Sequence, residues 1–330
     1  MGGILVFGEL RPDGLQSITA ELLAAARSLS ESSGDEIAVA LLGSGADAVS
    51  QEAISLGADK VYSVQDPLLE DVQIEAQLAA FEAVCVQAQP FVVLVGRTHL
   101  GRDIGPRLAF RLGVGVAQDC LEVAVDSGTG RLIATRPVYG GNALARFTFP
   151  GDGPQVVVLR PKAVEPFEAD SSRTGEVVTM QPGLDASIVK ARLVETVRQE
   201  SEGVRLEDAP VVIGGGRGIG GAEAFEMLEE LARIMGGAVG ASRAVCDAGW
   251  IDHSYQVGLT GKTITPDIYI TVGISGASQH MAGCSASKNI VAINRDADAN
   301  IFKASTYGVV GDWKNVLPSF LETVRELVHS

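Results

Sequence analysis

Two glycine-rich stretches late in the chain carry residue types suited to a phosphorylated ligand. The first is Gly214-Gly215-Gly216-Arg217-Gly218-Ile219-Gly220-Gly221. Gly216, Gly218 and Gly221 satisfy G-x-G-x-x-G, a spacing that lets amides at a helix N-terminus approach a diphosphate. A glycine-rich turn that packs a helix onto a sheet fits the same residues equally well. A nicotinamide ribose would call for an acidic residue about 20 positions on; Asp247 comes later than that, and Ser242-Arg243 occupies the region. The second stretch runs from Gly273 through Ile274-Ser275-Gly276-Ala277-Ser278-Gln279-His280 to Gly283. Ser275 and Gly276 offer a hydroxyl and unobstructed amides to an anion, and His280 falls in the first turn of the helix expected to follow. Gln256-Val257-Gly258-Leu259-Thr260-Gly261-Lys262 sets two glycines around a hydroxyl before a lysine. That suits a loop pressed on a polar planar ligand, and a hairpin turn equally. Asn294 and Asp312 each come just past an apolar run, the place where open α/β sheets bind ligands.

Residues at those places need parallel strands that deliver their carboxyl ends to one side. In the last third, residues 211–213, 238–241, 268–272, 290–293 and 307–310 are expected as strands. Helices are expected over 222–235, from about 279, and over 315–328. The first half alternates in the same way: strands at 4–7, 37–42, 60–64 and 91–95, helical spacing over 15–30, 46–56 and 78–89. Strands with no polar face, alternating with amphipathic helices, imply a parallel sheet covered on both sides. Residues 121–125, 132–135, 143–149 and 155–159 are separated by turn signals and are expected as antiparallel additions to that sheet. The polar, proline-containing segment 161–207 is expected to be a connector, with a pairing strand around 192–198. The fold class is therefore α/β: two α/β/α domains with mainly parallel sheets. The first spans 1–204, connector included, and the second spans 205–330.

The chain has 330 residues, enough for two such domains. Hydrophobic residues at 46% and charged residues at 20% exclude a disordered chain. A net charge of −15 argues against nucleic acid as a partner, because phosphate neutralisation needs a basic surface. Residues 1–204 carry 16 basic and 27 acidic side chains and residues 205–330 carry 10 and 14, so the second part repels an anion less. Cys85, Cys120, Cys246 and Cys284 form no CxxC pair, which favours buried free thiols in a reducing compartment over a metal site or disulfides. An apolar run begins almost at once, without a basic leader, and no stretch approaches the roughly 20 apolar residues of a membrane span. A cytoplasmic protein without direct membrane insertion is the expectation.

Taken together and in order, GGGRGIGG, GGAVGASRAVCDAGWI, QVGLTGKT, YITVGISGASQHMAG, IVAINRDADANIF and YGVVGDW resemble the flavin-binding region of electron-transfer flavoprotein alpha subunits. GRTHLGRDIGPRLAFRLG and RPVYGGNALA resemble the N-terminal domain of the same family. The resemblance covers nearly the whole chain. It implies a Rossmann-like (DHS-like) C-terminal domain that binds one FAD, and an electron carrier in place of an enzyme.

By this resemblance Ser242, Arg243, Thr260 and His280 hold the isoalloxazine ring. Thr260 would lie near N5, His280 would donate on the pyrimidine side where negative charge gathers on reduction, and Arg243 would supply fixed positive charge. Arg217, Val257, Gly258, Ser275, Gly276, Ala277, Ser278 and Gln279 correspond to diphosphate and sugar contacts, and Asn294, Asp312 and Trp313 to the adenosine end. Leu259 departs from the family pattern, which has glutamine there, so one side-chain amide beside the flavin is lost. The resemblance further implies a separate beta subunit packed on the N-terminal domain, with the flavin domain pivoting within segment 161–207. It implies flavin dehydrogenases such as acyl-CoA dehydrogenase as donors in fatty acid beta-oxidation, and a membrane quinone oxidoreductase as a further partner. Simple relay and electron bifurcation both fit. The alternative reading is a nicotinamide-dependent oxidoreductase using the 216–221 loop.

Overall fold

Apolar runs with no polar face, such as ILVFG in Ile4–Gly8 and VVLVG in Val92–Gly96, are satisfied only in a sheet covered on both sides, and both are buried at every position. Along the first, Ile4 and Val6 enter one core while Leu5 and Phe7 enter the other, as the period of two in a strand requires. The computed structural model describes residues 3–70, 73–139, 143–191, 194–195 and 204–328. By internal contacts the chain divides into Met1–Val197 and Arg198–Ser330.

The first unit is built on seven strands in the order Glu176–Met180, Lys60–Val64, Ile37–Leu42, Ile4–Gly8, Val92–Gly96, Gln155–Leu159 and Val116–Cys120. Every neighbouring pair is parallel. Helix Ser17–Ser33 covers one face with Leu22, Leu23 and Leu29. Helices Ile74–Ala88 and Gly101–Arg111 cover the other with Phe81, Ile104 and Leu108.

The structure corrects the expectation for residues 121–159. Glu122–Val125, Leu132–Val138 and Ala143–Thr148 form a sheet of their own, antiparallel and three-stranded. Gln155–Leu159 instead enters the main sheet, parallel to both its neighbours. The reason is burial. All five residues of Gln155–Leu159 are buried, whereas no position of Ala143–Thr148 is, so it can only be an edge. Glu176–Met180 lies inside the expected connector, yet it forms the other edge of the main sheet beside Lys60–Val64. Of the strand expected at 192–198, all but Val194 and Glu195 lie outside the described residues.

Helix Gly101–Arg111 contains Gly101, Gly105 and Pro106, three residues that read as breakers. Packing reverses that preference at Gly105, where a Cβ would come within 2.4 Å of Val158.

The second unit has five strands in the order Ala238–Ala241, Val211–Gly215, Ile268–Val272, Asn289–Asn294 and Tyr307–Val310, all parallel. Numbered within the unit the order is 2-1-3-4-5, a doubly wound, Rossmann-like arrangement. Ile213, Ile270 and Val272 pack under helices Phe225–Ile234 and Trp313–Val328. Val212, Tyr269 and Ala292 face the opposite side with Ile264 and Ile301. Both units are thus α/β with covered, mainly parallel sheets.

All four cysteines are free and buried. Burial pushes Cys85, Cys120 and Cys284 up to about 12 and Cys246 up to about 11, which keeps them as thiols. Among the described residues no helix is long and apolar enough to cross a membrane.

Candidate functional site

Five parallel strands send their carboxyl ends, and the loops that follow, to one edge of the second sheet. The strand order reverses between Val211–Gly215 and Ile268–Val272, and the loops leaving these two strands meet there. Gly216 N donates to Val272 O at 2.9 Å and Gly218 N to Gly273 O at 3.0 Å. A Cβ on Gly216 would sit 2.3 Å from Gly273 O, and one on Gly218 2.9 Å from Gly273 Cα. The G-x-G-x-x-G spacing therefore serves loop-on-loop packing. Residues Arg217–Ile219 form a 3-10 turn, and a second, Ala222–Ala224, follows Gly221 directly and runs on into the α-helix that opens at Phe225. Arg217 itself is exposed and unpaired among the described residues.

The loop after Ile268–Val272 is the more open one. Gly276 has φ +79°, and a Cβ there would lie 2.2 Å from Ile301 N, which donates to Ser275 O at 3.1 Å. Among the described residues no carbonyl accepts from the amides of Ser275, Gly276 or Ala277. The one-turn helix Ser278–Met281 begins there, and its first amides have no intrahelical partner. Ser275, Ala277, Ser278 and Gln279 are exposed. Successive free amides of this kind form an anion-binding concavity.

Residues 256–262 close a tight turn on themselves, Lys262 N donating to Gln256 O at 2.7 Å and Gly258 N to Lys262 O at 3.1 Å, and dock on the turn that bears His280. Val257 N donates to Ala241 O at 2.9 Å, and Leu259 N to Gln279 O at 2.7 Å. Gly258, at φ +140°, passes so close that a Cβ would be 2.9 Å from Gln279 O. The loop bearing Thr260 is thereby tied both to the strand that ends before Ser242 and to the turn bearing His280. Buried Gln256 donates through Nε2 to Thr260 Oγ1 at 2.9 Å, which leaves the threonine proton free to donate outward. Arg243 is exposed and its Nε donates to Asp247 Oδ2 at 3.2 Å. Asp247, the acid weighed for a nicotinamide ribose, is committed to that pair. Leu259 is 60% exposed, an apolar side chain on the rim.

His280 is 7% exposed. Its Nε2 lies 2.9 Å from the Tyr269 hydroxyl, and its buried Nδ1 has no hydrogen-bond partner. Burial lowers its pKa to about 4, with the Val257 backbone offsetting part of the fall, so the ring is neutral at pH 7.

Asn294, Asp312 and Trp313 line one cleft of about 170 Å³ together with Gly218, Gly220 and Gly273. Asn294 also braces the neighbouring loop: Nδ2 donates to Ile274 O at 2.9 Å and Oδ1 accepts from Asp296 N at 3.0 Å. Asp312 accepts from Lys314 N at 3.0 Å and so caps helix Trp313–Val328.

Every candidate residue thus lies at a strand's carboxyl end, on the loop that follows, or in the first turn of the next helix, at one sheet edge. A long dinucleotide fits this donor set: free amides for a diphosphate, a cleft at one end, and at the other a buried ring nitrogen in want of a partner. Tyr269 and Gln256 each open a motif quoted above, yet type and spacing gave neither a task, since each acts through another side chain. A bulky, polar-tipped ring in an otherwise apolar strand was the available signal for Tyr269.

Comparisons with known proteins point to one family along the chain. Residues 4–184 match the family model described as the electron transfer flavoprotein domain, and residues 205–285 match the electron transfer flavoprotein FAD-binding domain. The electron transfer flavoprotein subunit alpha of Megasphaera elsdenii is 43% identical over 326 residues, covering 98% of this chain and 96% of its own. That of Bacillus subtilis is 41% identical, with 99% of each chain covered. That of Thermoanaerobacterium thermosaccharolyticum is 40% identical, with 98% of each covered.

Proposed function

Since the chain belongs to the electron transfer flavoprotein alpha-subunit family, we propose that its second unit holds FAD along the sheet edge described above and exchanges electrons with other flavoproteins. The relatives are named as electron carriers and not as enzymes, and FAD is the cofactor of the domain family that residues 205–285 match. When bound, the flavin supplies one- and two-electron redox chemistry. The chain's own residues do the rest. The amides of Ser275, Gly276 and Ala277, with Ser278, Gln279 and exposed Arg217, would take the diphosphate. Val257 and Gly258 would line the sugar, and Asn294, Asp312 and Trp313 the adenosine end. Ser242, Arg243, Thr260 and His280 would face the ring, with Leu259 beside it.

The observation that carries this reading is the buried Nδ1 of His280, which among the described residues has the Val257 backbone nearby but no partner of good hydrogen-bond geometry, adjacent to a loop whose threonine has a proton to give. A buried polar group without a partner is costly, and a ligand carbonyl removes that cost. Donors aimed at a ring that gains negative charge favour its reduced form. About 1.4 kcal/mol of such preference equals about 59 mV for one electron.

The reading extends to partners. A beta subunit would pack on residues 1–204, and residues 205–330 would pivot on a hinge within the connector so that one flavin visits donor and acceptor in turn. Flavin dehydrogenases, such as acyl-CoA dehydrogenases, would deliver the electrons, and a quinone-reducing partner would receive them.

The test is the chain co-purified with its beta subunit. It should be yellow and retain FAD, and His280→Leu should lower the potential by about 59 mV or more. A colourless complex that binds NADH saturably would sink the carrier reading in favour of a nicotinamide-dependent oxidoreductase.

A further inference from the structure

We propose that Tyr269 is a positioning residue that holds the ring proton of His280 on Nδ1, so that this histidine meets the flavin as a hydrogen-bond donor. The inference rests on the function proposed above and assigns a task to a residue outside the binding loops.

The geometry comes first. Tyr269 is the second residue of strand Ile268–Val272 and has no exposed surface. Its hydroxyl is 2.9 Å from His280 Nε2, and the two rings lie 27° from parallel with centroids 6.0 Å apart. The phenol can extend this far along the sheet because Gly214, on the neighbouring strand, has no side chain: a Cβ there would lie 2.3 Å from the Tyr269 oxygen. The first glycine of the GGG run therefore makes room for a tyrosine.

Two proton arrangements are conceivable. If Tyr269 donates, Nε2 accepts with its lone pair, and the neutral imidazole carries its proton on Nδ1. One buried group, Nδ1–H, then remains without a partner of good geometry among the described residues, with only the Val257 backbone nearby. If Nε2–H donates to the phenol oxygen, two buried groups are stranded: the Tyr269 proton, which meets no other acceptor among the described residues, and the Nδ1 lone pair. Stranding two buried polar groups is worse than stranding one, so the first arrangement wins. A third arrangement, with protons on both ring nitrogens, is disfavoured because burial keeps His280 neutral at pH 7. Burial also holds the Tyr269 phenol well above its usual range, so the tyrosine keeps the proton it donates. The single group left over, Nδ1–H, suits a flavin carbonyl, and it suits the reduced ring better than the oxidised one. Were the proton on Nε2, the same nitrogen would offer a lone pair and oppose reduction.

The experiment reads the ring nitrogens directly. In the FAD-loaded heterodimer labelled with ¹⁵N-histidine, the His280 signals, identified by their loss in His280→Gln, should show a protonated Nδ1 and a lone pair on Nε2. A proton on Nε2 in the unmodified protein overturns the inference without any variant being needed. Tyr269→Phe, which keeps the ring, should mix the two tautomers and cost about tenfold in preference for the reduced flavin, about 59 mV in one-electron potential. In a His280→Leu background the same change should leave the potential where it was, since two members of one network are not additive. If His280→Leu shifts the potential and Tyr269→Phe changes neither tautomer nor potential, this inference fails alone. If His280→Leu itself has no effect, the proposed flavin site fails, and the role assigned to Tyr269 falls with it.

Discussion

The two units are wound alike but differ in what stands where the strand order reverses. In each, the first strand lies between the next strand of the same sheet in sequence and one that crosses back: Ile4–Gly8 between Ile37–Leu42 and Val92–Gly96, Val211–Gly215 between Ala238–Ala241 and Ile268–Val272. In the first unit Glu9 follows the first strand, and Thr98, just past the crossing strand, donates to its carboxylate at 2.7 Å. The cations nearby are spent as well, since Arg97 and Arg160 both pair with Asp119 at 3.3 and 2.8 Å. In the second unit the same place holds glycine turns and, among the described residues, free amides and an unpaired Arg217. A shared topology offers a crevice twice, and loop chemistry decides which crevice is left with donors suited to an anion.

The largest expected effect tests that openness. Gly276→Val forces a branched side chain onto a left-handed backbone and into Ile301, so the complex should lose its FAD and the second unit about 1–3 kcal/mol of stability from the backbone alone. Flavin absorbance per chain and thermal melting would report it. A yellow, fully stable variant would break the contrast between the units.

The next test uses pH, to which the two units should respond with opposite sign. Burial raises Glu9 and Glu21 from 4.5 to about 7, with Thr98 and the Lys162 backbone opposing the shift. A carboxyl with a raised folded pKa contributes stability that is complete below about pH 4.5 and lost as pH climbs through 7. At about 1.4 kcal/mol per pH unit the loss is about 3 kcal/mol for each group. His280, lowered from 6.5 to about 4, contributes stability that is present above pH 6.5 and lost as pH falls through 4. Glu9→Gln should therefore stabilise the first unit at pH 8 by up to about 3 kcal/mol and change little at pH 4.5. Melting curves at both values suffice, and an equal gain at each would refute the assignment.

A smaller effect sharpens the charge contrast. Arg243→Ala should weaken FAD retention by roughly tenfold through a lost charge-assisted contact. Its exposed pair with Asp247 contributes little, so unfolding should move by no more than about 0.5 kcal/mol. FAD titration of the apo-complex measures the first and denaturant melts the second. The smallest effect belongs to Leu259→Gln, which puts back the amide usual in the family on an exposed site. Stability should stay within about 0.5 kcal/mol, and the flavin potential should shift by less than the roughly 59 mV expected of His280→Leu. A larger shift would make this rim position a principal tuner of the flavin.

Much of the architecture was legible because strand and helix periods are local. Lys60–Val64, Ala238–Ala241 and Ile268–Val272 could be bounded from apolar runs and their flanking turns. Pairing was less legible. Gln155–Leu159 looks like its antiparallel predecessors until its partners, some sixty residues away in Val92–Gly96, are known. Helix Gly101–Arg111 was hidden by its own glycines and proline. At the candidate site the loop chemistry of Ser275, Thr260 and His280 could be read from type and spacing. The tasks of Gly216, Gly218 and Gly214 could not, because each is defined by what lies across the sheet edge.

Residue order by itself determined which stretches become strands, that two α/β units follow one another, and which loops carry the glycines, hydroxyls and imidazole of the candidate site. Folding in three dimensions decided the rest: which crevice is filled by a carboxyl, which glycines serve neighbours and not a phosphate, and which nitrogen of His280 Tyr269 engages. The division has a physical cause. Periodicity and turn preference act over a few residues, whereas a hydrogen-bond partner or a missing Cβ has meaning only once distant segments are packed within a few ångströms.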